Sequence, residues 1–444
     1  MTVVRLEVPV GAVPGPLARP EAGIAAIRTR LGARRQPQLT VIDTSDLRLA
    51  GAGVLLVHRV VDGLGEWVLR TSGWDPYLQA ETVEPFGHGD LPEDFSALTS
   101  PFRRLAPLGV QGHLTTESRE FTAVGPAGEV LATLRDTTLT ADLGSVPPAV
   151  LRVATVTQRD GSRKQVAALL SGLEAVGARR VAAAEPFVAL VCERYRSEDF
   201  SFVERFTPDM TMHDMAQGAV RRRVRRIVEA ELAFRRGIDS SPDALYAQLG
   251  RALRTLDGLA WASRLDTDMV RSDLEWVLER PGAAPFSERY LSVIDGLLAF
   301  ARQPRLGEWD TRPAAAALTQ EIDTTLLSLI NRARRLDRHA PQQRWEKTRA
   351  SAVHAFRIAR VSRQYFGSRA RGLRRRLDMI VAELDACLPD TPPTPSTDGL
   401  APAEAFEAGR AYERAVIGSE AARVEFVANW RDHQRYFKQL GIKP

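Results

Sequence analysis

The hydrophobic period changes once along the chain, and that change limits the folds open to it. Residues 1–160 carry short apolar or alternating runs at 3–10, 54–60, 67–71, 121–124, 130–134 and 150–157, the two-residue period of strands. Gly63, Gly65, Gly73, Gly125-Pro126 and Pro147-Pro148 punctuate them as turns. Many short strands at this spacing imply a closed antiparallel barrel or a sandwich. From Asp214 the period becomes helical and stays so. Val220, Val224, Ile227, Val228 and Leu232 form a stripe in 219–236, and Leu318, Ile322, Leu326, Leu327 and Ile330 form another in 313–338. Further helices are expected at 245–260, 372–388 and 403–436. The expected class is therefore α+β and multidomain: an N-terminal antiparallel β-barrel followed by an all-α helical bundle.

The join lies between these halves. Val166, Leu169, Leu170 and Leu173 predict a helix over 162–177 with Gly177 as its C-cap, and a second helix follows over 186–195. Residues 197–213 lose periodicity and read as a linker, which gives domains at 1–196 and 214–444. A chain of 444 residues exceeds one core. It has no apolar run of membrane-spanning length and no signal-peptide pattern, so a cytoplasmic protein without membrane partners is expected. Cys192 and Cys387 lie far apart without metal-ligand spacing, which suits a reducing compartment.

Charge divides with the fold. Residues 214–444 hold 38 Lys+Arg against 30 Asp+Glu, a net +8, whereas residues 1–213 hold 22 against 25. The whole chain has four lysines, so the basic half is built of arginine and its partner is expected to be anionic. Nucleic acid ranks lower, because no zinc-finger spacing, RNP motif or aromatic-interleaved basic stripe occurs.

The stretch AVHAFRIARVSRQY at 352–365 concentrates this charge. On a helix, His354, Arg357, Val361 and Gln364 share one face, and Lys347 lies seven residues before His354. Lys347, His354 and Arg357 on one rigid face suit an anion, with Arg offering the fork that phosphate oxygens accept. The competing reading is a solvated basic face. The arginine run at 221–226 has the same two readings. Asp239-Ser-Ser-Pro-Asp243 is expected to cap the next helix. Residues 389–402 read as a mobile Pro-rich loop. Gly409 and Gly418 are expected to allow close helix packing.

The stretch at 352–365 resembles the second conserved helix of the CHAD family, A-L-H-x-L-R-I-A-A-K-R-L-R-Y. His354, Arg357, Ile358, Ala359 and Tyr365 match in register. The first such helix, L-H-Q-L-R-V-A-L-R-R-L-R, aligns with residues 246–257, matching Gln248, Leu249, Ala252, Leu253, Arg254 and Leu256, with Ala247, Gly250 and Asp257 in place of His, Arg and Arg. The resemblance implies two pseudo-twofold helical halves and binding of inorganic polyphosphate through Lys347, His354, Arg357 and Arg254.

The first 180 residues resemble a CYTH domain, the triphosphate tunnel. IDTSDLRLAGAGVLLVHR at 42–59 is similar to YxDTPDxRLxxAGxxLRxR, and Trp67–Arg70 and GEVLATLRDTTLTA at 128–141 follow in order. That resemblance implies a tunnel with Arg59, Arg70 and Arg119 as cationic lining. Its metal ligands would be Glu7, Glu81 and Asp136, holding Mg²⁺ or Mn²⁺ if the tunnel is active. The family's E-x-E-x-K strand reads Arg5-x-Glu7-x-Pro9 here, and its late E-x-E strand reads Arg152–Thr157 without a carboxylate. An efficient triphosphatase is therefore not expected. The leading expectation is a polyphosphate-binding CYTH–CHAD protein with a degenerate tunnel. The alternatives are a metal-dependent triphosphatase and a non-catalytic scaffold that forms a homodimer.

Overall fold

The computed structural model describes the chain apart from residues 1, 31–33, 36–38, 62–63, 86–89, 145–147, 182–185, 202–205, 208, 264–266, 282–285, 389–398 and 442–444. The expected Pro-rich loop thus lies largely outside the described residues. The protein is mixed α+β and divides into two compact units. The first comprises Met1–Ser201, Arg225–Leu245 and Phe286–Ile294, and the second comprises Phe202–Val224, Tyr246–Pro285 and Asp295–Pro444. The first unit ends its initial segment close to the expected boundary, but two later helical segments belong to it as well.

The first unit is organised by strands β1 (Val3–Val8), β2 (Ala26–Thr29), β3 (Arg34–Arg35), β4 (Leu39–Asp43), β5 (Val54–Val61), β6 (Leu64–Thr71), β7 (Glu81–Pro85), β8 (Gly109–Val124), β9 (Val130–Asp142), β10 (Ala149–Gln158) and β11 (Arg179–Arg180). They pair antiparallel in the order β11-β1-β10-β9-β8-β4-β5-β6-β7, with β2 and β3 also on β8. Among the described strands no pairing joins β11 to β7, so the sheet is open. This corrects the expected closed barrel: alternating apolar runs show that strands exist, but closure depends on which edges meet.

Short helices α1 (Arg48–Gly51) and α2 (Glu93–Arg103) precede β8, and α3 (Arg163–Glu174) and α4 (Pro186–Arg194) follow β10. The sheet packs helices on both faces. Leu6, Ala154 and Val156 on one face bury Val166, Leu169, Leu170 and Leu173 of α3. α3 starts in a Ser162–Gln165 capping box and ends at Gly177, φ +88°. On the other face, Val188, Val191 and Cys192 of α4 share a core with Leu39, Val57, Val68, Leu139 and Val153, on strands from β4 to β10. Burial pushes the Cys192 thiol up to about 12, which keeps it protonated and unreactive.

The motif at 42–59 is structural. Asp43, 1% exposed, accepts from the backbone N–H of Thr44, Leu49 and Ala50 at 2.6, 2.9 and 2.9 Å and so fixes the α1 turn. Burial raises its carboxyl pKa against those bonds.

The second unit is helical. Its elements come from α5 (Met212–Arg235), α6 (Asp243–Leu259), α7 (Asp268–Glu279), α8 (Glu288–Arg302), α9 (Ala314–Ala333), α10 (Gln342–Ala386) and α11 (Pro402–Gln439). The C-terminal part of α5, the start of α6 and the start of α8 belong to the first unit. Ser241 caps α6, its Oγ accepting from Asp243 N–H at 3.2 Å. α10 joins two expected helices and bends at Gly367, φ +53°. Trp345 of α10 meets Phe426 of α11 edge to face, and Phe426 stacks on Trp430 of the same helix. Gly409 and Gly418 face open space among the described residues, so the close packing expected of them does not occur there. No described helix is long and apolar enough to cross a membrane.

Candidate anion-binding site

Helical spacing repeats one polar pattern in the second unit. Ala219, Arg222 and Arg223 on α5 stand at i, i+3 and i+4, and Arg251, Arg254 and Thr255 on α6 do the same. Arg360 and Arg363 are three apart on α10, and Arg374 follows the bend at Gly367. With Phe206 and Val361 these residues line one cavity of about 660 Å³. Seven of its eleven lining residues are arginine and none is acidic.

The cavity is held by packing. Val220 and Val224 on the apolar side of α5 are buried, which turns Arg222 the other way and leaves Arg223 at the edge of that side. Arg223 Nε–H donates to Thr255 Oγ1 at 3.1 Å, and Thr255 donates to the Arg251 carbonyl at 2.9 Å. Arg222 lies over the Phe206 ring at 5.3 Å.

Electrostatically the cluster is strained. Burial pushes Arg223 down to about 10, and Arg251, Arg222, Arg360 and Arg254 add like-charge repulsion. Burial likewise pushes Arg360 down to about 10; Arg254, Arg374 and Arg251 add to that, and Asp378 opposes it. Arg254 is lowered by burial and then by Arg251. The Nε–H groups of Arg254 and Arg374 are shielded from solvent and have no acceptor among the described residues. A multivalent anion would neutralise the charges and accept from such donors.

Compared with known proteins, the chain matches no protein-family model and no curated protein.

The site residues expected from sequence separate into groups. Arg254 lines the cavity. Arg357 instead meets Asp257 at 3.4 Å, a carboxylate that Arg271 also holds at 3.0 Å. His354 Nε2 lies 3.3 Å from Glu321 on α9, and Lys347 is exposed. Of these three none lines the cavity, because that face of α10 looks toward acidic groups on α6 and α9. The side chains of Gln364 and Tyr365 lie outside the described residues. Arg222 and Arg223 lie in the run at 221–226 that sequence offered as an anion face, whereas sequence reasoning missed Arg251, Arg360, Arg363 and Arg374. Their signal was the recurrence of arginine at i and i+3 in helices that later pack together.

In the first unit Arg59 pairs with Glu66 at 2.6 Å and Arg70 with Glu81 at 2.8 Å, so neither gives a bare cationic lining. The carboxylates Glu7, Glu81 and Asp136 do not converge. Glu7 pairs across the sheet with Val153, and Val153 with Thr137, while the next residue, Asp136, pairs with Ala154. Glu7 and Asp136 therefore point to opposite faces. Asp136 is bound by Arg152 at 2.7 Å. No group of three or more metal-ligating side chains occurs among the described residues, so these residues do not fit a shared Mg²⁺ or Mn²⁺ site.

The helices that carry Arg254 and Arg360 cross at Gly258. A Cβ there would lie 2.2 Å from Val361 Cγ2 and 2.9 Å from the Arg357 carbonyl oxygen. Gly258→Ala gains up to about 1 kcal/mol of helix propensity but meets about 1–3 kcal/mol of overpacking against immobile backbone. Net destabilisation of the second unit is expected in a thermal melt. Gly258→Ala with Val361→Ala should recover only part of it, since the carbonyl contact remains.

Proposed function

We propose that the second unit binds an inorganic polyphosphate, or a polyanion of similar charge density, in the seven-arginine cavity. The observation that carries this reading is the ring of guanidiniums around a 660 Å³ space whose lining contains no carboxylate. A surface salt-bridge network would interleave acids. Here the acids sit on neighbouring faces, with Asp257 and Glu321 taking Arg357 and His354. Arg forks match phosphate oxygens in pairs, and a chain of phosphates presents them at regular spacing. The resemblance of α6 and α10 to the CHAD helices agrees with this reading, with the binding residues moved to Arg223, Arg251, Arg254, Arg360 and Arg374. The first unit serves as a degenerate tunnel-domain relative without a metal-dependent hydrolytic role.

Titration of the full chain with polyphosphate at about 50 and 200 mM salt tests it. Tight binding that weakens by orders of magnitude at the higher salt is expected, by release of counterions from several contacts. Absence of binding at the lower salt would end the reading.

A further inference from the structure

The first unit contains a second cavity, of about 300 Å³, whose chemistry differs from that of the arginine ring. Its walls are Val8, Leu17, Ile27, Phe121, Leu134 and Leu173. The strand register shows which face it occupies. Val8 pairs with Arg152, Ala154 with Asp136, and Asp136 with Arg119. All of these share the face that carries α3, opposite the face of Glu7, so of the residues expected to line a tunnel the cavity gathers Arg119 and Asp136 without Glu7.

The polar end is nearly neutralised. Arg152 donates from Nε and Nη2 to the two Asp136 oxygens at 2.9 and 2.7 Å, and from Nη1 to the Ala12 carbonyl at 2.6 Å. This clamp holds the segment carrying Pro14, Gly15 and Leu17 over the cavity. Arg135 is already bound to Glu120 at 2.6 Å. Arg119 is the one lining guanidinium with no hydrogen bond or ion pair among the described residues. The site thus offers an apolar body space and one uncompensated positive charge, a combination usual in small-molecule sites. A polyanion would meet Asp136 and lack partners for its remaining charge. A neutral apolar ligand would leave Arg119 unused.

We propose that this cavity binds an amphiphilic monoanion, a medium-chain carboxylate, with its chain among Val8, Leu17, Phe121 and Leu134 and its carboxylate on Arg119. At roughly 30 Å³ per atom, the share of one water, the space holds about ten non-hydrogen atoms. Octanoate has that size. The proposal does not depend on polyphosphate binding by the second unit.

The test is calorimetric titration of the full chain with octanoate and with octanol. Saturable octanoate binding at one per chain is expected, with octanol weaker. Arg119→Gln, at an exposed position that the core does not use, should weaken octanoate about tenfold or more and leave octanol unchanged, since it removes a charge-assisted bond. Leu17→Trp should block both ligands by filling the space. Polyphosphate should not displace octanoate. Lack of saturable octanoate binding up to about 1 mM, affinity indifferent to both substitutions, or displacement by polyphosphate would each overturn the proposal.

Discussion

Replacing Arg223, Arg254 and Arg360 together with Gln is expected to abolish polyphosphate binding and to stabilise the unliganded second unit. Each lost guanidinium removes hydrogen bonds to a charged group, worth about 1.5–3 kcal/mol apiece, so three should cost at least about a thousandfold in affinity. The salt slope should fall by about three, one for each phosphate contact. The gain in stability has a separate origin. Burial and the surrounding arginines push Arg223 and Arg360 down to about 10, so folding holds these cations where charge is disfavoured. A cation with a depressed folded pKa costs stability below that value, and the cost fades as pH rises through about 10. Gln removes it at neutral pH, offset by about 1 kcal/mol for the Arg223–Thr255 bond. Added salt should likewise raise the melting temperature of the free wild type while weakening its complex. Anion binding by the wild type and thermal melting of both proteins give the two readouts. A variant that still binds polyphosphate would place the anion elsewhere, and a variant less stable than wild type would show that the arginines hold the helices together.

Glu231→Ala is expected to be the most damaging single substitution in the first unit. Glu231 is 0% exposed, within the segment of α5 that belongs to that unit. Arg235 binds it at 2.8 Å and the Tyr290 hydroxyl donates to it at 2.7 Å. Arg235 also lies 3.9 Å from the Phe286 ring centre and donates to Ser100 Oγ at 3.1 Å. Removing the carboxylate leaves a largely buried guanidinium and a buried hydroxyl short of their acceptor, which costs about 3–5 kcal/mol. Burial raises the Glu231 pKa despite Arg235 and Tyr290. Its contribution is therefore complete at acid pH and declines as pH rises through the folded value. Glu231→Leu with Arg235→Met, which removes both charges, should lose much less than Glu231→Ala, and denaturant unfolding compares them. Equal losses would mean that packing, rather than the unpaired charge, sets the cost.

These two clusters also mark how far sequence reasoning reaches. The stripe Val220, Val224, Ile227, Val228 and Leu232 was legible because a helix must bury its apolar face. Gly177 marked the end of α3 because a left-handed residue there satisfies the last backbone carbonyls. The net +8 of residues 214–444 pointed to an anionic partner, and Arg254 was named among its candidates.

What the sequence by itself determined was local: strand and helix periods, the C-cap of α3 and the sign of the charge. Only tertiary structure decided which arginines share a space. The face with Lys347, His354 and Arg357 suited an anion until Asp257 and Glu321 were placed against it. In the sheet, a shift of one residue along β9 separates Asp136 from the face of Glu7, and the strand order leaves the edges β11 and β7 unjoined. Spacing along one chain segment fixes directions relative to its own axis. Charge neutralisation, metal convergence and barrel closure depend on distances between segments, which packing alone sets.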